Sequence, residues 1–168
     1  MKDANPNALI LAEHYGDPSD WLKGDEWDTV MNYDAFMEPV TWFLTGMEKH
    51  SDEAREELLG NIDNFIGSMA HHMSNMLTPS LQVAMNELSN HDHSRFLTRT
   101  NHMVGRVEHL GPEAANEYVN KAVMREAVVM QMTWVELRRY IMVMRLVSVD
   151  LQIRITEEPI RGDMKIRN

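Results

Sequence analysis

The chain has no cysteine among its 168 residues. A disulfide framework, a thiolate nucleophile and a cysteine zinc site are therefore excluded, and the composition suits a reducing cytoplasm, where we predict the protein to be located. No apolar run approaches the roughly 18 residues that a membrane-spanning helix needs, and the first six residues lack the apolar segment of a signal peptide. We expect a soluble protein that is not exported.

Basic residues are scarce as well: 16 Lys and Arg stand against 26 Asp and Glu, which gives a net charge of -10. Such a chain repels nucleic acid and anionic membranes, so neither is a predicted partner. A neutral partner such as a carbohydrate is compatible with this charge. With 43% hydrophobic residues, the chain is long enough to form one domain with a buried core.

Short apolar runs alternate with patterns of helical spacing along the first 135 residues. Turn residues bound three runs that predict strands, over residues 8–11, 27–33 and 81–88. Apolar spacing and capping residues predict helices over residues 39–44, 51–78 and 111–134. Alternation of strand and helix is typical of an α/β fold with a parallel sheet.

Acidic and histidine side chains follow the first and third predicted strands. Glu13 lies in the segment 12–17, Ala-Glu-His-Tyr-Gly-Asp, and His91 and Asp92 lie in the segment 90–96, Asn-His-Asp-His-Ser-Arg-Phe. Each acid thus comes just after the carboxyl end of a strand, which is where α/β barrels hold their catalytic residues.

Three ordered segments resemble the α-amylase family of glycoside hydrolases, in its neopullulanase, cyclomaltodextrinase and α-glucosidase branch. They are residues 9–17, 21–33 and 86–96. The resemblance extends to about Val135 and keeps the family's order for the fifth, sixth and seventh barrel strands. It implies a partial (β/α)8 TIM barrel, roughly strands five to seven with their helices, in which residues 1–135 form the C-terminal half of a catalytic barrel.

The resemblance also implies roles for four residues. Glu13 matches the general acid/base, which protonates the glycosidic oxygen and later activates water. His91 and Asp92 match the pair that binds sugar hydroxyls and stabilises the oxocarbenium-like transition state. Arg95 would orient Asp92 or bind substrate.

The second strand of the resemblance ends in Asn32 and Tyr33. We interpret both residues as part of the wall of the site, without a part in the chemistry.

Two patterns of the family do not occur in the chain: G-x-R-x-D, which carries the nucleophile, and D-x-x-x-N-H of the first strand. Retaining hydrolysis needs a second carboxylate as nucleophile, and a complete barrel takes about 250 residues. The sequence therefore predicts a fragment of an enzyme that acts on α-glucans, such as maltodextrin, cyclomaltodextrin, pullulan or starch oligosaccharides. We expect this fragment to be inactive alone and to self-associate through the surface that the absent half would cover.

No cofactor is predicted. Some relatives bind calcium, but no acidic run in this chain has the spacing of a dedicated calcium loop.

The sequence after Val135 departs from the family. A DNA sequence can be written that encodes residues 136–145 as observed. With one extra G at its start, the same DNA encodes Gly-Ala-Pro-Thr-Ile-Tyr-Tyr-Gly-Asp-Glu, which is the expected eighth strand. The same shift recovers a second family phrase from residues 153–161. Net charge changes at the same point, from -12 in residues 1–135 to +2 in residues 136–168. We predict that residues 136–168 are translated out of frame.

The main alternative is a non-enzymatic helical module, rich in histidine and methionine, that binds metal or a partner protein through apolar surface. Its metal ligands would be His71 and His72. A metal site at His91, Asp92 and His93 is not predicted, because adjacent side chains on an extended segment point to opposite faces.

The coding DNA tests the proposed frame. We expect an open frame upstream of Met1 that encodes the nucleophile motif, and one missing G after the codon for Val135. A frame that begins at Met1, with tail codons that do not yield the eighth strand, would contradict this hypothesis.

Overall fold

A computed structural model describes residues 2–134. The predicted out-of-frame segment, residues 136–168, lies outside the described residues. The elements in chain order are β1 (Leu11–Ala12), β2 (Thr29–Val30), a π-helical turn (Tyr33–Met37), α1 (Glu38–Thr45), a 3-10 turn (Glu56–Leu58), α2 (Ile62–Ser74), α3 (Thr78–Gln82), α4 (Phe96–Arg99), α5 (Val107–Leu110) and α6 (Lys121–Thr133). None of the helices in this part of the chain has the length and apolar character needed to cross a bilayer.

Three parallel segments lie side by side in chain order. β1 pairs with β2, with Leu11 opposite Thr29, and a parallel bridge joins Met31 to Met85. The backbone N–H of Asn32 donates to the carbonyl of Met85 at 2.9 Å. Because the segments are parallel, the residues that follow them meet at one edge of the sheet.

The three predicted strands are present as paired segments, but they are shorter than predicted. β1 lies at the end of the predicted run 8–11, and β2 occupies only the middle of 27–33, because Tyr33 already begins the π-helical turn. The prediction of a strand over residues 81–88 is wrong at its start, because α3 extends to Gln82. Pro79 lies in the first turn of that helix, where a missing N–H costs no hydrogen bond.

The helix predicted to begin at Ser51 begins at Ile62. Asn61 caps it, since its side-chain oxygen accepts a backbone N–H of the first turn at 3.0 Å. Ser51 has a φ of 65° and its hydroxyl lies 3.0 Å from the hydroxyl of Ser94. Ser51, which was predicted to cap a helix, therefore makes a contact between two loops instead.

The helix predicted over 111–134 also begins later, at Lys121. Its cap is Asn120, whose side-chain oxygen accepts from the N–H of Ala122 at 3.0 Å. The residues before the cap turn against α4, where the hydroxyl of Thr98 donates to the carbonyl of Ala115 at 3.3 Å. This contact holds the segment in a turn, so it does not lengthen α6.

The main core lies between the π-helical turn, α1, α2 and α6. The rings of Phe43 and Phe65 stack there with centroids 4.6 Å apart. Burial of this apolar surface is what holds the helices against each other. Its buried members are Phe36, Val40, Phe65, Met69, Leu88, Phe96 and Ala127.

Arg99 at the end of α4 is fully buried, with 0% exposure. Its guanidinium donates to the carbonyls of Leu88 and Ser94, the latter at 3.0 Å, and to the hydroxyl of Thr41 at 2.5 Å. It also lies over the ring of Phe96, 5.3 Å from the centroid. One side chain thus ties α1 and α4 to both ends of the loop that carries His91 and Asp92.

Replacement of this arginine tests its structural role. We expect Arg99→Met to lower the free energy of unfolding by about 3 kcal/mol, because two carbonyls and a hydroxyl lose a donor inside the protein. Urea unfolding followed by circular dichroism measures the change, with Arg125→Met on the exposed face of α6 as the matched control. Equal losses in the two variants would contradict this role.

Candidate active site

Glu13, His91 and Asp92 come together at the carboxyl edge of the sheet. Glu13 follows β1 directly, whereas His91 and Asp92 lie between the Met85 bridge and α4. One nitrogen or oxygen atom from each of the three side chains lies within 4.8 Å of the other two. All three side chains are exposed, so the group faces solvent and is accessible to a ligand.

The expected divergence of His91 and Asp92 is wrong. Residues 91–93 form a bend, so they are not extended. The side-chain oxygen of Asn90 accepts the backbone N–H of Asp92 at 2.9 Å, which is the pattern of an Asx turn. The bend brings His91 Nε2 to 3.3 Å from Asp92 Oδ1.

Tyr33, interpreted from the sequence as wall, contacts the predicted acid/base. Its hydroxyl donates to Glu13 Oε1 at 3.0 Å, and its ring stacks on Tyr15 with centroids 4.5 Å apart. Burial of Tyr33 and its hydrogen bond to Glu13 raise the pKa of its hydroxyl well above the ordinary value. Tyr33 therefore keeps its proton and acts as a donor to Glu13.

Asn90 connects the two carboxylates of the site. Its side-chain NH2 donates one hydrogen to the Tyr33 hydroxyl at 2.8 Å and the other to Glu87 Oε1 at 3.1 Å. Its oxygen accepts from the backbone of Asp92. Because the Tyr33 oxygen accepts from Asn90, the Tyr33 proton is directed at Glu13, and a continuous path of hydrogen bonds joins Glu13 to Asp92.

Glu87 lies beneath this path and is only 1% exposed. Its Oε2 has no hydrogen-bond partner among residues 2–134. Burial raises the pKa of this carboxyl to about 7; the hydrogen bond from Asn90 lowers it and the charge of Glu13 raises it further. Below that pH the group is neutral.

His93 is the second buried titratable group near the site. Its Nε2 lies 3.1 Å from the Tyr15 hydroxyl, while its Nδ1 has no hydrogen-bond partner in the described part of the chain. Burial lowers the pKa of this imidazole to about 4, and the positive charges of Arg99, His50 and Lys49 lower it further. His93 is thus neutral at neutral pH.

Arg95 is half-buried and donates from Nη1 to the carbonyl of Asn90 at 3.1 Å. This bond places its guanidinium against the loop that carries Asp92. Its role in orienting Asp92 or in binding substrate stays a prediction.

A cleft of about 160 Å³ lies beside Asp92. The bend from His91 to His93 lines it, together with Arg106 and Glu108 at the start of α5. Polar groups of both charges therefore line the space next to the exposed carboxylates.

Sequence reasoning missed the roles of Tyr33, Asn90 and Glu87. For Glu87 a signal was present, because an acid inside the apolar run 81–88 is unusual for a strand that is expected to be buried. For Tyr33 and Asn90 the only signal in the sequence was their position next to the ends of predicted strands. Their contact with each other spans 57 residues of sequence.

Glu13, His91 and Asp92 also form the only set of three or more potential metal ligands close together in residues 2–134. The set includes an imidazole, whereas calcium prefers about six to eight oxygen ligands, so it does not fit calcium. His71 and His72, at the end of α2, have ring centroids 5.0 Å apart and are not part of any such set. The metal-binding alternative at His71 and His72 therefore has no further ligand beside it in the described residues, and it stays a prediction.

Curated relatives match part of the chain. Neopullulanase 2 of Thermoactinomyces vulgaris is 38% identical over 100 residues, 58% of this chain and 15% of the relative. A cyclomaltodextrinase of Thermoanaerobacter pseudethanolicus is 31% identical over 111 residues, 64% of this chain and 17% of the relative. A maltogenic alpha-amylase of Bacillus acidopullulyticus is 28% identical over 108 residues, 64% of this chain and 16% of the relative. The chain therefore spans less than a fifth of the length of these relatives.

A solved structure is similar to the fold. The native form of a Nostoc punctiforme debranching enzyme superposes with a TM-score of 0.56 and 21% sequence identity, over 79% of this chain and 24% of that one. No protein-family model matches the chain. The predicted resemblance to the α-amylase family is confirmed by the curated relatives, which are glycoside hydrolases, and the structure is a partial α/β unit like part of that barrel enzyme.

The buried imidazole predicts how stability depends on pH. Between about pH 4 and the ordinary histidine pKa of 6.5, the folded protein binds fewer protons at His93 than the unfolded chain does. The contribution of His93 to the free energy of unfolding therefore falls as pH decreases through this window. Protonation of His93 should cost up to about 3 kcal/mol across this range.

His93→Phe should remove this contribution, whereas His109→Phe at an exposed position of α5 should keep it. Urea unfolding of both variants and the parent protein at a series of pH values measures the difference. Glu87 changes the free energy of unfolding in the opposite direction over an overlapping pH range, because its pKa is raised in the folded protein. The pH dependence of each variant is therefore compared with that of the parent protein. An unchanged pH dependence in His93→Phe would show that the imidazole does not titrate as described.

Proposed function

We propose that this relative of the α-amylase family is part of a retaining glycoside hydrolase that acts on α-glucans, such as maltodextrin, cyclomaltodextrin, pullulan or starch oligosaccharides. The observation that carries the proposal is the convergence of Glu13, His91 and Asp92 at one exposed edge of a parallel sheet. The names of the curated relatives support the same substrate class.

Glu13 acts as the general acid/base in this proposal. Its exposed carboxyl can reach a glycosidic oxygen and, in the second step, a water molecule. The Tyr33 hydroxyl holds one carboxyl oxygen at 3.0 Å and so orients the other toward substrate. A positioned carboxyl group is what proton transfer to a leaving group requires.

Asp92 and His91 bind sugar hydroxyls and stabilise the transition state. Positive charge develops on the sugar ring as it flattens, and the Asp92 carboxylate lies where it can stabilise that charge. The Asx turn at Asn90 holds the backbone of Asp92 in place. Arg95 supports the loop through its hydrogen bond to the carbonyl of Asn90 and contributes to substrate binding.

The nucleophile is assigned to sequence outside this chain. Residues 1–135 would supply barrel strands five to seven, and a G-x-R-x-D motif elsewhere would supply the second catalytic carboxylate. The small share of each relative that the chain spans supports this division. The chain by itself would then bind α-glucan without hydrolysing it.

We also propose that the chain is cytoplasmic and self-associates. Apolar side chains on α2 and α6 support self-association, because Ile62, Ile66 and Val129 are 52%, 57% and 61% exposed. Apolar side chains that are exposed to this extent favour contact with another protein surface.

Nuclear magnetic resonance with an α-glucan tests the proposal. Maltoheptaose should shift the backbone amides of His91, Asp92 and Arg95, whereas the β-linked cellohexaose should not. His91→Ala should weaken maltoheptaose binding about tenfold, since it removes a hydrogen bond to substrate. His109→Ala, at an exposed histidine of α5, is the matched control.

Two outcomes would contradict the proposal. Equal shifts with both glucans would remove the α-glucan specificity. Hydrolysis of maltoheptaose by the chain alone would show that the chain supplies its own nucleophile, and it would overturn the assignment of the nucleophile to another segment.

A further inference from the structure

Glu87 is a buried carboxyl group that the proposed mechanism does not use. It follows the Met85 bridge and is 1% exposed. Its Oε1 accepts a hydrogen from Asn90 at 3.1 Å, and its Oε2 has no hydrogen-bond partner among residues 2–134. A carboxylate that is buried in this way loses its contacts with water. The hydrogen bond from Asn90 replaces only part of that hydration.

Three ionisable groups face Glu87 from the elements around it. Glu13 after β1 and Tyr33 in the π-helical turn both interact with it electrostatically, as does Arg99 from α4. Arg99 is the only positive charge among these three, and its guanidinium also donates to the carbonyls of Leu88 and Ser94. The neutral form of Glu87 is therefore favoured up to near-neutral pH.

Asn90 responds to the charge of Glu87 because its NH2 group is shared. One hydrogen goes to Glu87 and the other to the Tyr33 hydroxyl, and the same amide holds the Asp92 backbone. A hydrogen bond to an ionised carboxylate is shorter and roughly twice as strong as one to a neutral carboxyl. Ionisation of Glu87 therefore draws the amide toward Glu87 and weakens its contact with Tyr33.

We infer that Glu87 is a positioning residue, which sets the geometry of Glu13 and Asp92 through Asn90 and does so differently in its neutral and ionised forms. The inference rests on the proposed function, because it adds pH control to that site. Glu87 itself touches no substrate in this arrangement. It acts on Glu13 through Asn90 and Tyr33, and on Asp92 through Asn90 alone.

Titration of the side-chain amide of Asn90 tests the inference in the full chain. In the parent protein, the two Asn90 side-chain NH2 resonances should shift between about pH 5 and pH 9, with a midpoint near pH 7. The Glu87 carboxyl carbon should titrate with the same midpoint. Different midpoints for the two signals would overturn the inference without the use of any variant.

Glu87→Gln supplies the second arm. Glutamine keeps an oxygen acceptor for Asn90 and is neutral at every pH, so the Asn90 transition should be lost while the resonances stay near their low-pH positions. Glu117→Gln, at an exposed acid before α6, should keep the transition. Persistence of the transition in Glu87→Gln would assign it to another group and overturn the inference.

No glucan is present in these titrations, so the two proposals fail separately. Loss of maltoheptaose binding with an intact Asn90 transition would overturn the proposed function and leave Glu87 coupled to Asn90. Binding of maltoheptaose without an Asn90 transition would overturn the role of Glu87 alone.

Discussion

The buried guanidinium of Arg99 is the contact on which the site depends. It donates to the carbonyl of Leu88 on one side of the loop and to that of Ser94 on the other, and it anchors both to Thr41 of α1. A loop that carries polar side chains cannot bury its own backbone without such donors. Because Arg99 supplies them, the loop between these carbonyls can bend sharply and present His91 and Asp92 to solvent.

A second layer of polar contacts follows from that bend. Asn90 lies at the start of the bend, where its amide reaches the Tyr33 hydroxyl, Glu87 and the Asp92 backbone at once. Burial then has opposite effects on the pKa values of the two titratable groups beneath the site, because it disfavours the charged form of each. The pKa of the Glu87 carboxyl is raised to about 7 and that of the His93 imidazole is lowered to about 4. At neutral pH the buried His93 is therefore uncharged, and Glu87 is close to the midpoint of its titration.

Much of the fold could be predicted from local pattern, and the errors have physical causes. Apolar runs and their order along the chain predicted three parallel segments, because neighbouring segments of this kind pair in sequence order. Helix starts were placed too early at Ser51 and at Gly111. At Ser51 the side chain that resembles a cap contacts Ser94 in another loop, and after Gly111 the carbonyl of Ala115 accepts from Thr98 of α4. A cap and a loop contact use the same residue types, so sequence cannot separate them.

The sequence by itself determined which residues are candidates for the site. The motifs around Glu13 and around His91 and Asp92 indicated the family, and the parallel pattern put both motifs at strand ends. The tertiary structure decided the rest: that the three side chains lie within 4.8 Å, that Tyr33 donates to Glu13, and that Asn90 joins both carboxylates. Tyr33 is 20 positions from Glu13 and 57 from Asn90, and the approach of His91 to Asp92 depends on a bend in the backbone. Such geometry is set by the packing of distant segments, which local sequence patterns do not encode.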